Sequence, residues 1–241
     1  MTTDKIFAQP LEQVPDFRFD ENVAEVFEDM LHRSIPNYAP MVEMLRLMAE
    51  RCVTPGSNVY DLGCSLGACA LSMASGIKNP GCRVYAVDNS PAMITRCQEK
   101  IKAAKPNVPI EPLCGDIRNI EIRDASMVVL NFTLQFVPVS DRDALIKNIY
   151  AGMRHGGLLV LSEKVNIDDV AAGALINDLH RIWKKDNGYS DLEIDQKRAA
   201  LEKVLIPETA LAHHGRLLRA GFRHSAQWFQ CFNFVSMLAF K

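Results

Sequence analysis

The chain has 241 residues, of which 48% are hydrophobic and 23% charged, and its formal net charge is −2. These values are ordinary for a soluble globular protein and allow one α/β domain with insertions. A net charge this close to zero provides no global basic field, so we expect no direct binding of nucleic acid.

Seven cysteines are scattered along the chain, and the polar residues 1–20 do not resemble a secretory signal. This pattern favours reduced thiols and a cytoplasmic location. No apolar run approaches the roughly 20 residues that span a bilayer, so no membrane association is expected. No metal site is predicted, because Cys64 and Cys69 have no second Cys/His pair at zinc-site spacing, and a helix surface is the favoured interpretation of His213-His214.

Residues 1–20 are predicted to be a poorly ordered arm that two amphipathic helices follow. The first helix starts at Asp20, and the second carries an apolar face from Met41 to Met48. Two prolines separate the helices. Residues 1–54 are therefore predicted to form an arm and a helical cap over a site at the edge of a sheet.

Strands and helices alternate after this cap. The predicted strands are Asn58–Leu62, Arg83–Val87, Ile110–Leu113, Ser126–Phe132 and Leu158–Glu163. The predicted helices are Gly67–Ser75, Pro91–Lys105 and Asp141–Met153, with Gly156-Gly157 at the end of the last one. This order predicts a doubly wound, mostly parallel α/β sheet within residues 55–241.

The pattern changes after the fifth strand. Residues 166–205 are mostly helical, and we interpret them as an insertion that forms a lid or a dimer surface. A helix is expected over Pro207–Ala220, ended by Gly221. Two last strands, Phe222–Phe229 and Phe232–Phe240, are predicted to pair as a hairpin and to complete a sheet of seven strands.

The turn from Asp61 to Gly67 has the composition of a nucleotide-binding turn. A strand that leads into a helix presents free N–H groups, and Gly63 and Gly67 let a ligand approach the backbone. A single glycine-rich turn is a weak signal, because any strand-to-helix connection can require a glycine. The choice of ligand therefore depends on the acids at the strand ends.

Acids follow the first three strands. Asp88 can accept hydrogen bonds from ribose hydroxyls; alternatively it caps the next helix, a role that Ser90 already fills. Asp61 can pair with the ammonium of a methionine moiety, a group that a dinucleotide lacks. The Asp116 carboxylate and the neighbouring N–H of Ile117 can form hydrogen bonds with the edge of an adenine ring. Together these residues favour an S-adenosyl ligand over a nicotinamide dinucleotide.

Over residues of roughly 55–241 the chain resembles the class I S-adenosylmethionine-dependent methyltransferases. The matching segments are Tyr60–Gly67, Val87-Asp88, Gly115-Asp116 and Pro207–Phe222. Ser65 stands where many members have glycine, and its hydroxyl can bond the methionine carboxylate. Asn131 starts the turn after the fourth strand and either faces the cofactor or satisfies buried backbone. The resemblance implies a Rossmann-like methyltransferase fold.

A closer resemblance, to the carboxy-S-adenosyl-L-methionine synthase family, extends over nearly the whole chain. Its segments are Pro15–Asp20, Arg33–Tyr38, Asp61–Gly67, Asn131–Phe136 and Lys184–Leu205. It implies that S-adenosyl-L-methionine is itself the acceptor, and that its acidified S-methyl group gains a carboxylate from prephenate, which leaves as phenylpyruvate. The product would then serve a partner enzyme that converts the tRNA wobble uridine to its 5-oxyacetic acid derivative. A homodimer is also implied, and the Met- and Leu-rich N-terminal helices favour one.

The resemblance also assigns site residues. Arg198 is the predicted catalytic residue, because a fixed guanidinium suits the new carboxylate, although composition alone favours a solvated helix position. The residues expected to bind S-adenosyl-L-methionine are Tyr38, Asp61, Gly63, Cys64, Ser65, Gly67, Asp88, Asn89, Asp116, Ile117, Asn131 and Arg198. Two other functions stay open at this point: an ordinary small-molecule methyltransferase and a non-catalytic protein that binds S-adenosyl nucleosides.

Overall fold

The computed structural model describes residues 2–241, which contain eight α-helices and eight strands. The helices are α1 (Glu21–Ser34), α2 (Tyr38–Cys52), α3 (Ala68–Gly76), α4 (Pro91–Ala104), α5 (Val139–Gly152), α6 (Val170–Asp186), α7 (Asp191–Leu201) and α8 (Ala210–Ala220). The strands are β1 (Asn58–Leu62), β2 (Arg83–Asp88), β3 (Ile110–Cys114), β4 (Ala125–Asn131), β5 (Met153–Asn166), β6 (Glu208–Thr209), β7 (His224–Cys231) and β8 (Phe234–Phe240). Short 3-10 helices follow β3 and β4.

Seven strands form the main path of the sheet, in the order β3-β2-β1-β4-β5-β8-β7, and the two-residue β6 pairs with β5 beside this path. The strands from β3 to β5 are parallel, whereas β8 is antiparallel to both β5 and β7. The predicted doubly wound, mostly parallel sheet is therefore confirmed. The winding changes direction between β1 and β4, so a crevice opens at their carboxyl ends, where open α/β sheets bind ligands.

Residues of β4 show why these segments form a central sheet. Met127, Val128, Val129 and Leu130 are all fully buried. Met127 and Val129 pack in the cluster that contains α2, α3 and α4 residues, whereas Val128 and Leu130 pack in the cluster with α5 and α8. A continuous apolar run is the expected sequence for a strand that helices cover on both faces.

Two predicted helix boundaries are wrong. Gly156 and Gly157 do not end a helix, because α5 already ends at Gly152 and both glycines lie within β5. A Cβ at Gly152 would lie 2.0 Å from the Ile122 carbonyl oxygen, so the close contact that needs a glycine is at this residue. The second wrong boundary is the start of the helix expected at residue 207. The short strand β6 occupies Glu208–Thr209, and α8 starts only after Thr209, whose hydroxyl caps it.

His213 is a core residue and not the helix-surface residue that was expected. Its side chain is 1% exposed, and its Nδ1 lies 3.2 Å from Nη1 of Arg216. Burial and the Arg216 charge lower the pKa of His213 to about 4, so its imidazole is neutral near pH 7.

Residues 2–20 of the N-terminal arm form neither helix nor strand, but the prediction of a poorly ordered segment is wrong. Phe7 and Phe17 are buried in a hydrophobic cluster with residues of α1 and α7. The Leu11 N–H donates to the Gln196 side chain at 2.8 Å, and the Phe17 N–H donates to the Ala200 carbonyl at 3.0 Å. Aromatic side chains and main-chain hydrogen bonds therefore fix the arm against α7.

Candidate active site

A cavity of about 510 Å³ lies at the carboxyl ends of β1, β2, β3 and β4. Its walls come from the turns after these strands, from α1 and the start of α2, and from α6 and α7. This volume is within the range of small-molecule sites. The N-terminal helices and the segment 166–205 thus cover the strand ends, in the positions predicted for a cap and a lid.

The turn after β1 adopts backbone conformations that its small residues permit. Gly63 has φ 82°, and a Cβ there would lie 2.4 Å from the Thr133 side chain, so only glycine fits. Ser65 also has a positive φ, 48°, a conformation that glycine adopts most readily. Gly67 precedes α3 with φ 83°. The turn therefore keeps its backbone open toward the cavity.

Asp88 connects this turn to the end of β2. Its Oδ2 accepts a hydrogen bond from the Ser65 N–H at 2.9 Å, and its Oδ1 accepts one from the Ser90 N–H at 2.9 Å. Ser90 caps α4, as expected, by accepting from the Met93 N–H. Each carboxylate oxygen of Asp88 has a second lone pair, so Asp88 can position the turn and also accept ribose hydroxyls from the cavity.

Asp61 lies behind the cavity wall and is 1% exposed. Its Oδ2 accepts the Ala70 N–H at 2.9 Å, whereas its Oδ1 is buried without a hydrogen-bond partner among residues 2–241. Burial, together with the Asp88 charge, raises the pKa of Asp61 to about 7. A buried carboxylate oxygen without a donor fits a ligand that brings an ammonium group, as S-adenosyl-L-methionine does.

Asn131 lines the cavity at the end of β4, so its side chain does not merely satisfy backbone. Its Nδ2 donates to Cys69 Sγ at 3.4 Å. Burial raises the pKa of the Cys69 thiol, and the Asp61 charge raises it further, so this thiol stays protonated. Tyr38 lines the same cavity, and burial is the main reason why its pKa is raised. These groups can donate or accept hydrogen bonds, but they provide no ready anionic base.

Glu163 fixes the turn after β4 from behind. Its two carboxylate oxygens accept the N–H groups of Leu134 and Gln135, each at 2.9 Å. The side chain is fully buried, and burial raises the pKa of Glu163 to about 8. This contact places Thr133 against Gly63, and the two neighbouring turns therefore depend on each other.

Cations of the lid and of β5 line the cavity wall. Arg198 on α7, Lys164 at the end of β5 and Lys184 on α6 all border the cavity. Burial and the Arg198 charge lower the pKa of Lys164, and burial and neighbouring cations lower that of Lys184 to about 8. Neither lysine is predicted as a site residue from the sequence. A cation near the end of a buried strand, three residues after the apolar run Leu158–Leu161, is the sequence signal for Lys164.

All predicted binding residues except Asp61 and Gly67 line this cavity. The two exceptions support the turn from behind. Asp116 borders the cavity, but its carboxylate also accepts hydrogen bonds from Arg118, which lowers the pKa of Asp116. Within residues 2–241, no cluster of three metal-ligating side chains occurs, and no helix is long and apolar enough to cross a bilayer.

The chain is similar to proteins of known family. A family model described as a methyltransferase domain matches residues 59–157. The carboxy-S-adenosyl-L-methionine synthase of Shewanella sediminis is 53% identical over 238 residues, which cover 99% of this chain and 98% of that protein. The protein of the same name from Escherichia coli O17:K52:H18 is 52% identical, with 99% and 96% of the two chains covered.

A solved structure has the same fold. It is an O-methyltransferase family protein from Burkholderia thailandensis, with a TM-score of 0.63 at 18% identity. The match covers 92% of this chain and 60% of that one. A likeness at this identity supports the fold, not the substrate.

Proposed function

The chain belongs to the carboxy-S-adenosyl-L-methionine synthase family, and we propose that it transfers a carboxyl group from prephenate to the S-methyl group of S-adenosyl-L-methionine. It is accordingly a transferase with a methyltransferase domain. The observation that carries the proposal is Arg198, a guanidinium on the cavity wall that forms no ion pair with any of residues 2–241. A guanidinium in this position can hold a carboxylate through two parallel N–H bonds, and both prephenate and the carboxylated product present one.

The turns at the strand ends are suited to S-adenosyl-L-methionine. Asp88 would accept the ribose hydroxyls, and Asp116 with Ile117 would face the adenine. The backbone from Gly63 to Ser65 would hold the methionine carboxylate, and Asp61 would balance its ammonium. When bound, the sulfonium of this ligand acidifies its own methyl group. The protein has to position that methyl group and exclude water.

The reaction balances without an oxidant or a metal. The bond between the prephenate ring and its carboxyl carbon breaks, and a new bond joins that carbon to the S-methyl carbon. The ring hydroxyl and one S-methyl hydrogen leave together as water, and the ring becomes the aromatic ring of phenylpyruvate. Arg198 would orient the carboxylate through two parallel N–H bonds, and α6 and α7 would shield the site from solvent.

Mass spectrometry of the nucleoside pool tests this function. Purified protein is incubated with S-adenosyl-L-methionine and prephenate, and a gain of one carboxyl group with formation of phenylpyruvate is expected. We expect Arg198→Ala to lose the carboxylated product while its affinity for S-adenosyl-L-methionine changes by less than about twofold. Arg219→Ala, which changes an exposed arginine on α8, is the matched control. Unchanged nucleoside with intact prephenate contradicts the proposal.

We also propose a homodimer that forms through α6. In the Met- and Leu-rich N-terminal helices, Met30 and Met41 are buried within the subunit and Leu47 is 45% exposed. Leu175, Leu179 and Ile182 of α6, in contrast, are 59%, 41% and 55% exposed and follow a helical spacing.

The product would pass to a tRNA-modifying enzyme, as the family resemblance implies. The chain itself is not proposed to bind tRNA, because its formal net charge is −2. Its seven free cysteines favour a reducing compartment, the cytoplasm. No metal is part of the proposed reaction.

A further inference from the structure

The lid and β5 bring more positive charge to the cavity than one carboxylate requires. Lys164 lies two residues beyond Ser162, which pairs with Asn131 of β4. Lys184 lies in the last turn of α6. Both side chains border the same cavity as Arg198. Burial and neighbouring cations lower the pKa values of Lys164 and Lys184, and no carboxylate contributes to either shift. Like charges in a partly buried site are unfavourable unless an anion joins them.

The other cations on this wall are already neutralised. Arg118 pairs with Asp116 and Asp141. Arg181 pairs with Asp191 and Asp195.

Lys197 pairs with Asp4 and contacts the Ser34 hydroxyl at 3.0 Å. Burial lowers the pKa of His180 to about 3, so this imidazole is uncharged near pH 7. Among the described residues of the wall, only Lys164 and Lys184 are left to meet an anion besides Arg198.

We propose that Lys164 and Lys184 form a second carboxylate subsite, which holds the carboxylate that the donor keeps. This inference rests on the proposed function and deepens it. Prephenate has two carboxylates: the ring carboxylate is transferred and would face Arg198, and the carboxylate of its pyruvyl side chain remains. The two oxygens of that remaining carboxylate can each accept a hydrogen bond from one ammonium group. Such a pair selects dicarboxylate donors over monocarboxylates.

The subsite has a consequence for product inhibition. Phenylpyruvate keeps the pyruvyl carboxylate and has lost the other one. It should therefore still bind to Lys164 and Lys184, although it no longer has a group for Arg198. Inhibition by phenylpyruvate reports on the lysine pair alone, whereas the prephenate KM reports on both subsites.

The test compares Lys164→Met, Lys184→Met and the double variant with the wild-type protein. For each single variant we expect the prephenate KM and the inhibition constant of phenylpyruvate to rise together by about tenfold, because a charge-assisted hydrogen bond is lost. The KM for S-adenosyl-L-methionine should change by less than about twofold. Lys184→Arg, which keeps the charge, should retain most of the prephenate affinity.

Lys185→Met is the matched control, since Lys185 lies in the same helical turn but its exposed side chain pairs with Asp191. It should leave all three constants unchanged. An unchanged prephenate KM in the double variant would overturn the subsite, and so would a raised KM with unchanged inhibition by phenylpyruvate. If Lys164→Met does not fold, Lys164→Arg and Lys184→Met decide the question. A wild-type protein that forms no carboxylated product refutes the proposed function itself, before any variant is compared.

Discussion

At the scale of single residues, Asp61 carries a charge that the protein alone satisfies only in part. One oxygen accepts the Ala70 N–H, and the other is buried without a partner among residues 2–241. Because burial raises the pKa of Asp61 to about 7, its ionised form destabilises the ligand-free fold at higher pH. A bound ammonium group would compensate for this cost.

We expect Asp61→Asn to weaken the binding of S-adenosyl-L-methionine about tenfold, because a charged partner of the ammonium becomes neutral. The amide oxygen can still accept the Ala70 N–H.

The ligand-free Asp61→Asn variant should be more stable than the wild-type protein at pH 8, with a smaller gain at pH 5. The sign follows because the folded pKa of Asp61 lies above its usual value of 3.8, so the wild-type protein loses stability between about pH 4 and 7. Calorimetric titration and thermal unfolding measure the two effects; equal affinities would contradict the pairing.

Lys184 leads to a prediction for the pH dependence of activity. Burial and the charges of Lys164, Lys197, Arg181 and Arg198 lower its pKa to about 8. A lysine is charged below its pKa and neutral above it, so kcat/KM for prephenate should fall as the pH rises through about 8. In Lys184→Arg this decline should move to higher pH, because a guanidinium stays charged. A decline at the same pH in both proteins would assign the titration to another group.

At the scale of elements, the N-terminal arm is held against the lid, residues 166–205. The Tyr189 hydroxyl donates to Asp4 Oδ2 at 2.5 Å, and the Arg33 guanidinium lies 3.7 Å from the centre of the Tyr189 ring. Lys197 contacts the same hydroxyl at 3.2 Å. Arm, α1 and α7 thus meet at one buried tyrosine between the two lid helices.

We expect Tyr189→Phe to loosen the lid, because it leaves the buried Asp4 carboxylate without its hydroxyl donor, which costs about 1–3 kcal/mol. Amide hydrogen exchange should become faster in residues 187–200 and stay unchanged in β4. The prephenate KM should rise by a few fold, since Lys184 and Arg198 lie on either side of this tyrosine in the lid. Tyr150→Phe, on α5 against Phe222, is a control that should leave the lid unaffected. Unchanged exchange in residues 187–200 would show that the lid does not depend on this contact.

At the scale of the whole molecule, the exposed apolar face of α6 predicts the assembly. Light scattering at micromolar concentration should give a dimer for the wild-type protein and a monomer for Leu179→Glu, because a carboxylate in an apolar interface is costly to desolvate. The control is Leu211→Glu, a change of a leucine on α8 that is 75% exposed. This variant should remain dimeric. A monomeric wild-type protein, or a dimeric Leu179→Glu variant, would exclude α6 as the interface.

The sheet and the turns at its strand ends follow from sequence pattern alone. The sequence pattern places β1 to β4 to within one residue at each end, and it is clearest at β4, because a strand buried on both faces needs continuous apolar side chains. The positions of Asp88, Asp116 and Asn131 follow from this, since a parallel sheet brings the carboxyl ends of its strands to one edge. The resemblance added Arg198, whose residue type alone is typical of a solvated helix.

Which charges remain without a partner depends on the three-dimensional packing. Lys184 faces the cavity whereas the adjacent Lys185 pairs with Asp191 in solvent, a difference that composition does not reveal. The contact of Asp4 with Tyr189 joins residues 185 positions apart, and local periodicity has no information about such pairs. Pairing and burial arise from the packing of distant segments, so the cation pair of Lys164 and Lys184 becomes visible only once the lid lies on the sheet.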